Sequence, residues 1–357
     1  MFDDPGRDHR PGPERRRPVP RDRPTRFFCA ASWSRRTPAS PGQARSEVVI
    51  NVRSSVVNAV VNAGIRRTGA KRSFSTAERT RARVEQLALR PTAYAPPRTL
   101  ARGIRLSVRQ VAGAPVYTVA PPTHRVEHRV LYLHGGAYIY EIGLSHWAFV
   151  RRLALAAPAQ VEVPIYPLAP QVTAERTVPA MTDLLATLVH SGHGPVTLMG
   201  DSAGGGLALA VAQQLRDRGD PQPARIVLIS PWLDITVSEP RQREIDAQDR
   251  MLAVDGLAEA GRLYAGPLDP HDARVSPLLA DLRGLAPIDV FTGTADILNT
   301  DAHQLAHRCD EVDQPVTLHE ADGMQHAYPL LPLIAEGRRA RRDIARLVRT
   351  TRSPTAS

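Results

Sequence analysis

Near the middle of the chain, Gly200-Asp201-Ser202-Ala203-Gly204 sets a serine between two glycines in the spacing GxSxG. The apolar run Val196 to Met199 precedes it and the helical run Leu207 to Leu215 follows, so the serine falls on a strand-to-helix turn. Such an elbow tolerates no bulk two residues before or after the serine, and it lifts Ser202 Oγ clear of a sheet. The helix behind it aims N–H groups at developing negative charge. A serine hydroxyl is a poor nucleophile near neutral pH, so it needs a histidine base and a carboxylate to orient that base. Twelve histidines compete. His326 is favoured because it lies in the loop after the last predicted strand. His319 sits inside that strand, and His134 belongs to a glycine turn that it is expected to buttress. Asp296, at the carboxyl end of the strand Ile288 to Thr292, is favoured as the orienting carboxylate. Its competitor Asp301 starts the next helix, where an N-cap role explains it.

A second glycine motif, His134-Gly135-Gly136-Ala137-Tyr138, follows the predicted strand Val130 to Leu133. Adjacent glycines at a strand end leave backbone N–H groups open to close approach by an oxygen, so Gly135 and Gly136, with the Ala203 N–H, are expected to form an oxyanion hole. Asp201 either tunes the site or bonds local backbone. Tyr138, Tyr140, Trp147 and Trp232 are candidates for a substrate pocket, with ordinary core packing as the alternative. The chemistry needs no metal and no cofactor, and none is expected.

The elements that must carry these residues alternate. Strands are predicted at Ile104 to Val108, Pro115 to Ala120, Val130 to Leu133, Val161 to Tyr166, the elbow strand, Arg225 to Ser230, Ile288 to Thr292 and Val316 to His319. Helices fall at His146 to Ala156, Pro179 to Val189, behind the elbow, Asp301 to Cys309 and Ile334 to Val348. This alternation predicts a mostly parallel eight-stranded sheet with helices on both faces and an antiparallel first pair. Upstream, Val56, Val57, Val60, Val61 and Ile65 have helical spacing and a second helix covers Ala77 to Leu89, segments that would cap a pocket. In the closing helix, Arg338, Arg339, Arg341, Arg342 and Arg346 read as a solvated face over Ile334, Ile344, Leu347 and Val348.

Composition bounds the partners. The net charge of +10 invites a nucleic-acid reading, but Lys71 is the only lysine and +6 of that charge lies in residues 1–45, a segment with 8 prolines and 11 arginines and no hydrophobic period. That segment is expected to be a disordered tail, followed by a helical cap segment at 46–97 and the main domain at 98–350. No nucleic-acid partner and no stable membrane insertion are expected, since no run of 18 apolar residues occurs. Two cysteines, Cys29 and Cys309, and the lack of an export signal suggest the cytoplasm. A homodimer stays open.

HGGAY, GDSAGGG, the SPWLD stretch at Ser230 to Asp234, GTADIL at Gly293 to Leu298 and GMQHAY at Gly323 to Tyr328 occur in one order from about Arg98 to Val348. Together they resemble the hormone-sensitive-lipase-type α/β-hydrolases, in the bacterial esterase and lactone-hydrolase group. The resemblance implies an α/β-hydrolase fold with a small N-terminal helical cap and hydrolysis of small to medium acyl esters. Ser202 would be nucleophile, His326 base and Asp296 its orienter, with Gly135, Gly136 and Ala203 as oxyanion donors. Three positions depart from the family pattern: Ala137 replaces a third glycine, Pro167 an arginine, and Ala327-Tyr328 a glycine and aromatic. Alternatives are a lactonase, deacetylase or acyl-transfer enzyme with the same triad, or a receptor that binds a small ligand without turnover.

Overall fold

Strands β4 (His128–Leu133), β6 (Val196–Asp201) and β8 (Ile288–Gly293) are buried along their whole length, as strands covered by helices on both faces must be. In the computed structural model, which describes residues 48–50, 63–64, 69–122, 126–331 and 333–352, they form the centre of one sheet. The others are β1 (Val48–Ile50), β2 (Arg105–Val111), β3 (Ala114–Ala120), β5 (Ala159–Pro164), β7 (Arg225–Ile229) and β9 (Val316–Ala321). Their order is β1-β9-β8-β7-β6-β4-β5-β3-β2. β3 runs antiparallel to both neighbours, β2 and β5, and every other pairing is parallel. All eight predicted strands are present. The short β1, which adds a ninth at the edge beside β9, has too little sequence to show a period.

Side chains alternate between the two sheet faces. Leu131, Leu133, Leu198, Ile226, Leu228 and Val290 pack with helices α4 (Ala174–His190), α5 (Ala203–Asp217) and α8 (Asn299–Glu311). Val130, Tyr132, Met199, Val227, Ile229 and Phe291 face α3 (Leu144–Ala156) and α9 (Ala335–Thr350). In α9, Ile334, Ile344 and Val348 are buried and Leu347 half-buried. Arg338, Arg339, Arg342 and Arg346 are exposed, and Arg341 turns inward to donate to the carbonyls of Pro329 and Leu331. No helix among the described residues is long and apolar enough to cross a membrane.

The N-terminal helices expected to cap a pocket pack against a second helical segment that the sequence analysis did not single out. Helices α1 (Ala70–Phe74) and α2 (Ala77–Leu89) pack against α7 (Val254–Ala265), which with α6 (Pro240–Asp246) is inserted between β7 and β8. Val254, Leu257, Gly261 and Tyr264 do carry helical spacing, but the long β7–β8 interval hides it among turn residues. Most of the predicted Val56 to Ile65 helix, and the whole 1–45 tail, lie outside the described residues. Arg81 bridges to Glu259 at 3.2 Å, while Lys71 Nζ donates to Asp246 Oδ1 at 2.6 Å and to the Asp249 carbonyl at 3.0 Å. At the contact, a Cβ on Gly256 would lie 2.1 Å from the Phe74 carbonyl oxygen. Gly256→Ala is therefore expected to cost about 1–3 kcal/mol in urea unfolding, with the loss in the α1–α7 contact.

Candidate active site

The parallel register decides where the chemistry meets. Leu133 pairs with Gly200, Asp201 with Ile229, and Gly293 with Ala321, so the loops after β4, β6, β8 and β9 leave the sheet along one edge. Open α/β sheets bind ligands at this carboxyl edge.

Ser202 stands where the sequence places it, between β6 and α5, with φ 54° and ψ −124°. This conformation is costly for a residue with a side chain and is held by its surroundings. Ser202 N–H donates to the Ile229 carbonyl at 2.8 Å, and its own carbonyl accepts from Gly205 and Trp232. The flanking glycines are sterically required. A Cβ on Gly200 would meet the Gly204 carbonyl oxygen at 2.1 Å, and one on Gly204 would meet that of Leu133 at the same distance.

His326 Nδ1 lies 2.9 Å from Asp296 Oδ2, and Asp296 is fully buried. Asp296 Oδ1 accepts from the Leu298 N–H at 2.9 Å. With Nδ1–H donating to the carboxylate, Nε2 is left as an acceptor. Burial depresses the His326 pKa, but Asp296, and behind it Asp249, more than offset this, so the net shift is upward. Asp301 sits elsewhere. It is in the first turn of α8, whose N-cap is Leu298, and it accepts from the N–H groups of Leu233 and Asp234 and from Gln242 Nε2. Burial pushes its carboxyl up to about 8, and it anchors the SPWLD turn rather than capping its own helix. His319 bonds Asp289 from within β9. His134 is a buttress: its ring stacks on Tyr166 with centroids 4.4 Å apart, and burial lowers its pKa to about 4.

The glycine loop corrects one expected oxyanion donor. Gly135 N–H points at Asp201 Oδ1, 2.9 Å away, and is already used. The N–H groups of Gly136, Ala137 and Ala203 meet no acceptor among the described residues. Ala137 has φ 50°, a left-handed conformation in which a glycine would be unstrained. Asp201 does more than bond its neighbours. It also takes the Tyr132 hydroxyl and His146 Nε2, the latter at 3.2 Å. Burial raises its pKa, yet His146, Tyr132 and the Gly135 N–H together bring it below the usual value.

Ser202 and His326 open into one cavity of about 380 Å³, with Gly136, Ala137, Phe74, Tyr140, Met251 and Leu331 in its wall. Of the four aromatic candidates, Tyr140 alone lines it. Tyr138 is stacked on Tyr264 at 3.5 Å, Trp232 packs beside Tyr138, and Trp147 is buried against Tyr117. Their rings serve the core because each polar tip reaches protein backbone, as with Trp147 Nε1 on the Tyr94 carbonyl and Trp232 Nε1 on that of Asp234.

Sequence reasoning missed Asp249. Its Oδ1 accepts from Met251 and Leu252 N–H, and its Oδ2 from Ile297 N–H at 3.0 Å, beside Asp296. Burial and the Asp296 charge push it up to about 6. No motif marks it, because its role exists only after the β7–β8 insertion folds back onto the β8 loop.

A profile of the alpha/beta hydrolase fold matches residues 130–330. LipR of Mycobacterium tuberculosis is 33% identical over 303 residues, spanning 84% of this chain and 95% of LipR. A triacylglycerol lipase of the same organism is 36% identical over 212 residues, 59% of this chain but 44% of the lipase, so the chain spans under half of that relative. Among solved structures, an esterase of the bacterial hormone-sensitive lipase family superposes with a TM-score of 0.72 at 29% identity, covering 84% of this chain and 99% of its own.

Asp296, Asp249 and Asp201 all raise the His326 pKa, so its imidazole is expected to titrate above the ordinary imidazole value in an NMR titration. Asp249→Asn should move that midpoint down, because above about pH 6 the wild-type Asp249 is charged.

Proposed function

We infer that this chain, which belongs to the α/β-hydrolase family and to its hormone-sensitive-lipase-type branch, is a carboxylic ester hydrolase working through Ser202, His326 and Asp296. The observation that carries the residue assignment is the bond from His326 Nδ1 to a fully buried Asp296, with Ser202 and His326 in the wall of the same cavity. Ser202 Oγ attacks the ester carbonyl carbon while His326 Nε2 takes its proton. Asp296 fixes the imidazole tautomer and stabilises the imidazolium that forms. The oxyanion of the tetrahedral intermediate is received by Gly136 and Ala203 N–H, with that of Ala137 beside them. Gly135 instead ties the loop to Asp201. Collapse expels the alcohol, protonated by His326. Water activated by the same imidazole then releases the acid.

A cavity of about 380 Å³ suits a small to medium acyl ester. The segment 46–97 acts as part of the cap, and the tail 1–45 is dispensable for chemistry. The proposed compartment is the cytoplasm, with no nucleic-acid partner. The supports are a charge of only +4 outside the first 45 residues, and a buried Cys309 whose thiol burial pushes up to about 12.

Hydrolysis of p-nitrophenyl esters of increasing acyl length tests the reading. Ser202→Ala should lower kcat by on the order of 10⁵–10⁶, and Asp296→Asn by about 10⁴. A second, independent check is labelling by a fluorophosphonate probe, which requires the activated serine. A folded chain that neither labels nor hydrolyses any ester would be a ligand receptor instead. The kcat/KM of the wild type should fall as pH drops through the His326 pKa, since protonated imidazole accepts nothing. The upward shift of that pKa places this acid limb above 6.5.

A further inference from the structure

Glu141 is a half-buried carboxylate, one oxygen of which meets no hydrogen-bond partner among the described residues. It follows the glycine loop, directly after Tyr140, and lines the catalytic cavity together with Ser202 and His326. It also borders a second pocket of about 310 Å³ beneath α2, with Val84, Leu87, Ile139 and Leu168. Its Oε2 is buried and has no hydrogen-bond partner, and no ion pair reaches the carboxyl among the described residues. Burial raises its pKa, and no cation stands close enough to bring it back down.

Arg83 lines the same cavity but is not the missing counter-ion. Its guanidinium lies over the Tyr140 ring, 5.6 Å from the centroid, and its Nη1 donates to Gln86 Oε1 at 2.6 Å. Buried polar groups in folded proteins are nearly always satisfied, so an unbonded oxygen in the wall of a ligand cavity is open to water or to a donor on an entering ligand. Phe74, Met251, Leu252, Leu330 and Leu331 give the same cavity much of its apolar wall, and the hydroxyls of Ser73 and Ser145 are its small polar groups. Of the two carboxylates that line the cavity, Asp201 is already bonded by Tyr132, Gly135 and His146, and Glu141 is the one with an unbonded oxygen; its terminal torsion is soft enough to turn either oxygen to an entering donor.

Resting on the esterase reading, we propose that Glu141 is a specificity-determining residue, selecting esters that carry a hydrogen-bond donor, a hydroxyl or an ammonium group, on the chain remote from the reacting carbonyl. A plain alkyl tail leaves the carboxyl stripped of water and unpaired, whereas a donor-bearing tail satisfies it. A site built to receive a donor discriminates against the analogue lacking it far more strongly than an apolar wall discriminates by size.

The test uses the full chain with two matched series: p-nitrophenyl hexanoates and hexyl acetates, each with a methyl, hydroxyl or ammonium terminus. The wild type is expected to favour a donor-bearing ester over the methyl one by at least about tenfold in kcat/KM in one series. Glu141→Leu should abolish that preference, read as the ratio of kcat/KM between the donor-bearing and methyl esters. Glu141→Gln should keep a hydroxyl preference and lose an ammonium one, which separates the two donors. Flat ratios in both series, or ratios that neither variant moves, overturn the proposal. A melting temperature lowered in both variants with ratios unchanged would assign Glu141 a structural role and overturn it as well. Binding of hexanol and its ω-hydroxy and ω-amino analogues, followed by tryptophan fluorescence, reads the same preference without turnover. If no ester is hydrolysed, the esterase reading fails, and Glu141 then stands or falls on whether the ω-substituted alcohols bind more tightly to the wild type than to Glu141→Leu.

Discussion

One buried carboxylate joins the two halves of the site. Asp201 is the last residue of β6, next to Ser202, and its oxygens hold the Gly135 N–H, the Tyr132 hydroxyl and His146. The Ser202 turn follows one strand and the Gly135 loop another, and a carboxylate with three donors, bonded to Gly135 across 66 residues, fixes their separation. In a buried setting such charge-assisted bonds are strong when complete and costly when broken. The steric side of the same constraint is the pair Gly200 and Gly204, which lets the elbow press against the Leu133 carbonyl.

The opposite wall depends on carboxylates too. Asp296 faces His326, Asp249 holds the backbone at Ile297, and Asp301 holds that at Leu233 and Asp234. These groups share one neighbourhood, and burial separates their behaviour. Asp301 is driven to about 8 and is neutral near pH 7, while Asp249 at about 6 is charged there and keeps the His326 pKa up. The inserted segment that carries Asp249 is also the one that Lys71 and Gln325 grip, through Asp246, the Asp249 carbonyl and the Arg250 N–H. A few bonds thus tie α1 and the β9 loop to the segment that carries Asp249.

The sequence by itself determined the frame. Period-two and buried apolar runs located eight strands, and glycines flanking Ser202 marked a turn only small residues allow. The strand-end positions of Asp296 and His326 followed from the same reading, since local backbone geometry is written in local residue types. The tertiary structure decided the rest. Gly135 donates to Asp201 instead of facing the cavity, and Tyr138, Trp147 and Trp232 find core partners instead of substrate. Asp249 reaches the site only because the β7–β8 insertion folds back, and Glu141 Oε2 meets no hydrogen-bond partner among the described residues. In each case the outcome depends on which distant group meets an N–H, a ring or a carboxyl. Such meetings are set by strand register and packing across tens of residues, which no local pattern encodes.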